Sequence, residues 1–357
     1  MAPNVLITGA TGFIGGSVLE RLTREHPEYN YTALLRNISD EFTSTYPNVK
    51  TVKGDYDSTD IITEAASQAD VVVHNGNSDH EASIRALTAG LLQHSDATGK
   101  PSYLIHLGGT GIVADFQDPE PNYHGKLNPK VWSDVDDIDA IWSLPDGALH
   151  RNVDKIIQET WTQHGDKLKT AIMCPPDIYG RGRGPGRKLS VFTPLFVQEV
   201  KETGATFYVN EGANTRSWVH VDDLTTVYLK LVEAAVTGDK NAGWGREGYY
   251  FAASQEHAHI DVASHVGKLM AAQGVIPSPE PKKLSLDEVK KMAGRPEMAI
   301  YQFAANSRTR SHRAQQLLGY RPIAPGLLEA LEGDVASAED ELHLSHSGIV
   351  AGAKYKA

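Results

Sequence analysis

A short apolar run, Val5-Leu6-Ile7, passes directly into Thr8-Gly9-Ala10-Thr11-Gly12-Phe13-Ile14-Gly15. This junction constrains the fold more than any other part of the chain. It reads as a strand that turns sharply into a helix through three glycines spaced three apart. Gly9 permits the tight turn, Gly12 lets backbone approach a pyrophosphate, and Gly15 lets the helix pack close to the strand. The amides that open the helix then face an anion, helped by the helix dipole. The stretch that follows carries Val18, Leu19 and Leu22 on one face, which is the helical context such a turn requires. A glycine-rich turn in some other α/β protein is the alternative.

Length and charge narrow the classes. A chain of 357 residues can build one large domain or two smaller ones, each with a core. Against 34 basic residues stand 45 acidic ones, a net charge of −11. That balance argues against broad nucleic-acid or anionic-membrane binding. Cys174 is the single cysteine, so no intrachain disulfide and no cysteine-based zinc site is expected. The fifteen histidines form no pair with a third ligand at metal spacing, and no metal is expected. No apolar stretch is long enough to span a bilayer. The first strand begins without a leader-like segment and the last residues carry no lipidation or peroxisomal address. A cytoplasmic location is the default expectation.

The first half alternates strand and helix. Strands are expected at 31–35, 49–53, 71–73, 103–107 and 169–173, and helices near 58–68, 79–97 and 148–164. Such alternation implies a parallel sheet covered on both faces, with ligands beyond the carboxyl ends of the strands. The stretch 115–147 is rich in Asp, Pro, Asn and Trp with little periodicity. It reads either as a lid or as a surface excursion. The Gly/Arg-rich run from Tyr179 to Arg187 marks a boundary. Its Arg181, Arg183 and Arg187 either contact an anionic substrate or form a solvated turn.

In order along the chain stand the glycine turn, Gly54-Asp55, Val73-His74-Asn75, Pro175-Pro176-Asp177-Ile178-Tyr179-Gly180 and Arg216-Ser217-Trp218-Val219-His220-Val221-Asp222-Asp223. This series resembles the extended short-chain dehydrogenases/reductases, of the NAD(P)-dependent epimerase/dehydratase kind, over nearly the whole chain. The resemblance implies an α/β fold: a doubly wound Rossmann sheet with a smaller C-terminal substrate-binding domain. We expect the dinucleotide-binding domain in 1–178, with segments of about 213–263 returning to it. The cap is expected in 179–212 and 264–340, followed by a tail at 341–357. The family often dimerises through sheet-flanking helices, so a homodimer is admitted by analogy.

The cofactor follows from the end of the second strand, where an acid would bind a ribose 2′-hydroxyl and repel a 2′-phosphate. This chain has Arg36 there. A guanidinium can hold a phosphate at two points, so NADP(H) is favoured over NAD(H). The alternative is a solvated loop arginine. The resemblance places Gly9, Thr11, Gly12, Phe13, Ile14 and Gly15 at the pyrophosphate and Asp55 at the adenine, with Tyr56 beside it. It also places Asn75, Pro175 and Ile178 along the dinucleotide, and Tyr179 and Arg216 near the substrate. Asp55 also reads as a turn former. Asp223 reads as a helix cap and Cys174 as a buried small hydrophobe.

At the catalytic positions the pattern breaks. Family members use a Tyr general acid and a Lys four residues later on one helical face. Here Lys155 matches the lysine, expected to hold the nicotinamide ribose. The position four before it is Arg151, with His150 adjoining. Gly109 stands where the family has a serine, and Thr110 is the nearest hydroxyl. His150 or Tyr123 then becomes the proton donor, since an arginine can stabilise an oxyanion but is a poor acid. These residues also read as polar positions of a first helical turn, and Tyr123 as a packing residue of the insertion. The expected function is an NADP(H)-dependent oxidoreductase moving hydride to or from a small organic carbonyl or alcohol. A binding module without turnover and a redox-neutral isomerase or cyclase are the alternatives.

Overall fold

The computed structural model describes residues 2–118 and 122–338; the expected tail at 341–357 lies outside the described residues. The strands are β1 (Asn4–Thr8), β2 (Asn30–Leu35), β3 (Lys50–Lys53), β4 (Val71–His74), β5 (Ser102–Leu107), β6 (Trp132–Ser133), β7 (Leu168–Cys174), β8 (Asp177–Tyr179), β9 (Phe207–Val209), β10 (Thr215–His220), β11 (Tyr249–Phe251), β12 (Gln255–Ala258), β13 (Lys282–Leu284) and β14 (Thr309–Arg310). The helices are α1 (Phe13–Glu25), α2 (Asp40–Thr45), α3 (Thr59–Ser67), α4 (Glu81–Thr98), α5 (Ile138–Trp142), α6 (Arg151–His164), α7 (Phe192–Thr203), α8 (Val221–Thr237), α9 (His259–Ala272), α10 (Leu286–Val289), α11 (Pro296–Phe303), α12 (His312–Leu318) and α13 (Leu327–Ala336).

A seven-stranded sheet runs in the order β11-β7-β5-β4-β1-β2-β3. Every neighbouring pair in it is parallel. Its strands are near-continuous apolar runs because both faces are covered. Alternate residues feed opposite cores. Val5, Ile7, Val71 and Val73 join α1 and α8 on one face. Leu6, Val72 and Leu104 join α3, α4 and α6 on the other. Each fully buried Leu or Ile contributes roughly 2–3 kcal/mol of apolar transfer. The chain order of the strands reverses between β1 and β4, and the crevice above that reversal is where an open α/β sheet takes its ligand.

A three-stranded sheet, β12-β10-β8, leads into a third core. That core is built by Phe192, Phe196, Phe207, Val266 and Phe303 from α7, β9, α9 and α11. Asp223 near the start of α8 accepts a hydrogen bond from the Ile323 amide at 2.9 Å, which ties that helix to a distant loop. Cys174 is fully buried. Among the described residues no helix is long and apolar enough to cross a membrane.

Candidate active site

One cavity of about 680 Å³ opens over the carboxyl ends of β1, β2, β4 and β5. Gly9, Thr11, Gly12, Phe13, Ile14, Gly15, Arg36, Asp55, Tyr56, Asn75, Pro175 and Ile178 all line it. Gly9 has φ +70°, and a Cβ there would lie 2.1 Å from the Asn75 carbonyl oxygen. Only glycine satisfies both demands. Gly12 is the N-cap of α1 and brings no side chain between the helix start and the cavity. Asn75 is 7% exposed, and neither atom of its side-chain amide has a hydrogen-bond partner. An unpaired buried amide facing a cavity calls for a polar ligand. These features fit a dinucleotide.

The helix that was to carry the proton relay is rotated by one residue from expectation. Arg151 is 5% exposed and turns away from the cavity. Its guanidinium donates to the carbonyls of Leu144 (3.1 Å) and Trp142 (2.6 Å) and to Gln158 (2.7 Å). Lys155 is on the surface, its Nζ 2.9 Å from both carboxylate oxygens of Asp146. Neither residue lines the cavity, so the expected ribose contact of Lys155 and the oxyanion contact of Arg151 are not made. The residue of this turn that lines the cavity is His150, and Asp154, four residues on, is buried behind it.

His150 is the N-cap of α6 with φ 68°. Its Nδ1 lies 2.8 Å from Asp79 Oδ1, and Asp79 itself lines the cavity. The Asp79 amide donates to Asn77 Oδ1 at 3.0 Å, and its carbonyl accepts from Asn152 at 2.9 Å. The other imidazole nitrogen faces Gly109: a Cβ there would sit 3.1 Å from Nε2. Loss of the serine side chain thus makes room for the ring. Thr110 lines the cavity beside it and is 2% exposed.

Asp154 lies beneath this turn. Its amide donates to the His150 carbonyl at 3.1 Å, and Oδ2 accepts from the Tyr249 hydroxyl at 3.2 Å. Oδ1 is buried without a partner among the described residues. Burial pushes its pKa up to about 6. His74 and His106 stand on adjacent strands with ring centroids 5.3 Å apart. Burial brings His74 down to about 4 and holds His106 well below the usual value, helped by His74 and His150. The sequence carried no signal for Asp79, which meets His150 across 71 positions.

Three further expectations are corrected. Tyr123 is 38% exposed and outside the cavity; its carbonyl accepts from Asn306. Tyr179 is buried, and its hydroxyl donates to the Pro325 carbonyl at 2.8 Å. Arg216 is 3% exposed and paired at two points with Asp177. Neither Tyr179 nor Arg216 lines the cavity. Among the described residues of 115–147 none lines it either; the stretch is anchored instead by buried Asp115 and Phe116. Of the loop arginines, Arg183 pairs with Asp222 (2.7 Å) and Arg181 reaches Ser337 Oγ (3.2 Å). Arg187 lines the cavity and donates to the carbonyls of Leu189 and Ser190.

Known proteins share this architecture. Residues 9–134 match a family described as NAD(P)H-binding, and residues 147–244 match the NAD dependent epimerase/dehydratase family. The chain is 28% identical to a protein of Acremonium sp named oxidase ucsJ, over 97% of this chain and 100% of that one. It is 21% identical to a dTDP-glucose 4,6-dehydratase of Mycobacterium tuberculosis, over 66% of this chain and 70% of that one. The fold matches UDP-glucose 4-epimerase of Thermotoga maritima with a TM-score of 0.62 at 15% identity, covering 95% and 99% of the two chains. It matches the dTDP-glucose 4,6-dehydratase DesIV of Streptomyces venezuelae, solved with NAD bound, with a TM-score of 0.63 at 17% identity, covering 95% and 98%. With the seven-stranded parallel sheet and the glycine turn at its switch point, these likenesses make the chain a member of the extended short-chain dehydrogenase/reductase family.

Proposed function

We propose that this chain is an NADP(H)-dependent oxidoreductase of the extended short-chain type, acting on a small organic carbonyl or alcohol, with His150 as the proton-transferring group. The observation that carries the reading is one continuous cavity with the glycine turn and Arg36 at one part and the Asp79–His150 pair at another. The amides at the start of α1 would hold the pyrophosphate. Arg36 would hold a 2′-phosphate and the Asn75 amide would bind the dinucleotide. The main chain from Pro175 to Ile178 would run beside the nicotinamide. The bound nicotinamide supplies or takes the hydride. His150 moves the proton at the substrate oxygen through Nε2, while Asp79 fixes the ring and its tautomer through Nδ1. Thr110 orients the same oxygen. The full-length likeness to a protein named an oxidase supports the redox class.

The test is fluorescence titration with NADPH and NADH, followed by a carbonyl panel read as NADPH oxidation. NADPH should bind more tightly than NADH, and Arg36→Asp should reverse or erase the preference. His150→Gln should bind NADPH as the parent does and lose at least a hundredfold in kcat. Binding without oxidation across the panel would favour the binding-module reading. Full turnover by His150→Gln would remove His150 from the chemistry.

A further inference from the structure

Resting on the oxidoreductase reading, we propose that the substrate is a neutral carbonyl or alcohol bearing an extended apolar group, and not a nucleoside-diphosphate sugar. The same cavity is lined by Leu149, Leu189, Val191, Phe192, Met298 and Tyr301, with Ser190 and Gln302 as neutral polar members among them. Leu189 and Phe192 are fixed in place, 1% and 3% exposed. Apolar walls with one or two polar groups select a ligand by the apolar area it buries.

A diphosphate in this region would need cations to neutralise it. Among the described residues that line the cavity there is no lysine, and the arginines are Arg36 and Arg187. Arg36 stands at the end of β2, in the dinucleotide part. The Arg187 amide is 3.4 Å from the Thr11 carbonyl oxygen over the glycine turn, and its guanidinium is turned onto main chain, donating to the carbonyls of Leu189 at 2.8 Å and Ser190 at 3.1 Å. Arg216 lies behind Tyr301 and outside the cavity lining, and its charge is already paired. It makes two contacts with the Asp177 carboxylate and donates to the Tyr301 carbonyl. The Tyr301 ring covers the guanidinium, with its centroid 4.3 Å away. What the cavity meets at this position is therefore the aromatic ring and not the cation.

Calorimetry on the NADPH-saturated protein tests this without turnover, because an alcohol cannot reduce the already reduced cofactor. Octan-1-ol should bind at least tenfold more tightly than butan-1-ol and with a negative heat-capacity change. Millimolar UDP-glucose should not compete with it. Met298→Gln should weaken octan-1-ol at least threefold and leave NADPH binding unchanged. Equal binding of the two alcohols, no binding of octan-1-ol, or displacement of octan-1-ol by UDP-glucose would overturn the proposal. The oxidoreductase reading fails separately: chain-length-dependent alcohol binding by a protein that binds no NADPH would refute the cofactor and keep the apolar site.

Discussion

His150 owes its position to backbone geometry as much as to its imidazole. A left-handed N-cap turns its side chain toward Gly109, and the next residue, Arg151, is turned into the protein instead. The motif Arg151…Lys155 was legible as a spacing, but the face of the helix that meets the cavity depends on the N-cap conformation, which spacing does not encode. Gly109 was the signal available in the sequence: a missing serine side chain leaves a hole that a neighbouring ring fills. Asp154 follows from the same rotation and makes a pH-dependent prediction. Its folded-state pKa of about 6 lies above the ordinary 3.8. The folded chain therefore keeps a proton that the unfolded chain releases, and this contribution is complete below about pH 4 and is lost as pH rises through 6. Asp154→Asn should be more stable than the parent by about 2–3 kcal/mol at pH 8 relative to their difference at pH 4. Urea unfolding of both proteins at the two pH values measures this. A difference that does not change with pH would mean that Asp154 is ionised at no cost.

At the scale of elements, the Gly/Arg-rich run after β8 is a packing device. Gly184 lies against the backbone of Gly16 in α1, where a Cβ would come within 2.5 Å of it. The Arg183 amide donates to Ser17 Oγ at 3.1 Å, and the Arg187 amide reaches the Thr11 carbonyl. The segment thus covers the start of the helix that would hold the pyrophosphate. From sequence the run was readable as a boundary, but its docking partner stands more than 160 positions earlier and shares no pattern with it. The strands of the large sheet up to β7 and the long helices between them, by contrast, were legible because periodicity and burial act locally, whereas the short strands and the helices beyond β8 were not placed. Gly184→Ala should cost about 1–3 kcal/mol of stability through overpacking and weaken NADPH at least fivefold. Unfolding and nucleotide titration read the two effects separately. Unchanged affinity in a destabilised variant would show that the segment braces α1 without shaping the nucleotide site.

At the scale of the whole molecule, Asn306 joins parts of the chain that sequence order keeps far apart. Its amide and Nδ2 donate to the two carboxylate oxygens of Asp115 at 2.7 and 2.8 Å. Nδ2 also reaches the carbonyls of Tyr123 and Lys126, and Oδ1 accepts from the amides of Asn128 and Thr215. The insertion, β10 and the segment after α11 are therefore tied at a side chain that is 3% exposed. Helix α11 carries Met298, Tyr301 and Gln302 to the cavity, so the same node sets where the apolar wall stands. The composition of the insertion announced an irregular segment but not this role, since a hydrogen-bonding hub has no period. Removing the Asn306 side chain leaves a carboxylate oxygen and several backbone groups short of partners, each costing roughly 1–3 kcal/mol when buried. Asn306→Ala should lose about 3–5 kcal/mol of stability in denaturant unfolding. In the fraction that remains folded, affinity for an apolar alcohol should fall while NADPH affinity holds, because the glycine turn, Arg36 and Asn75 follow β1, β2 and β4 and make no hydrogen bond to the node. A parallel loss of both affinities would place the coupling in the sheet itself.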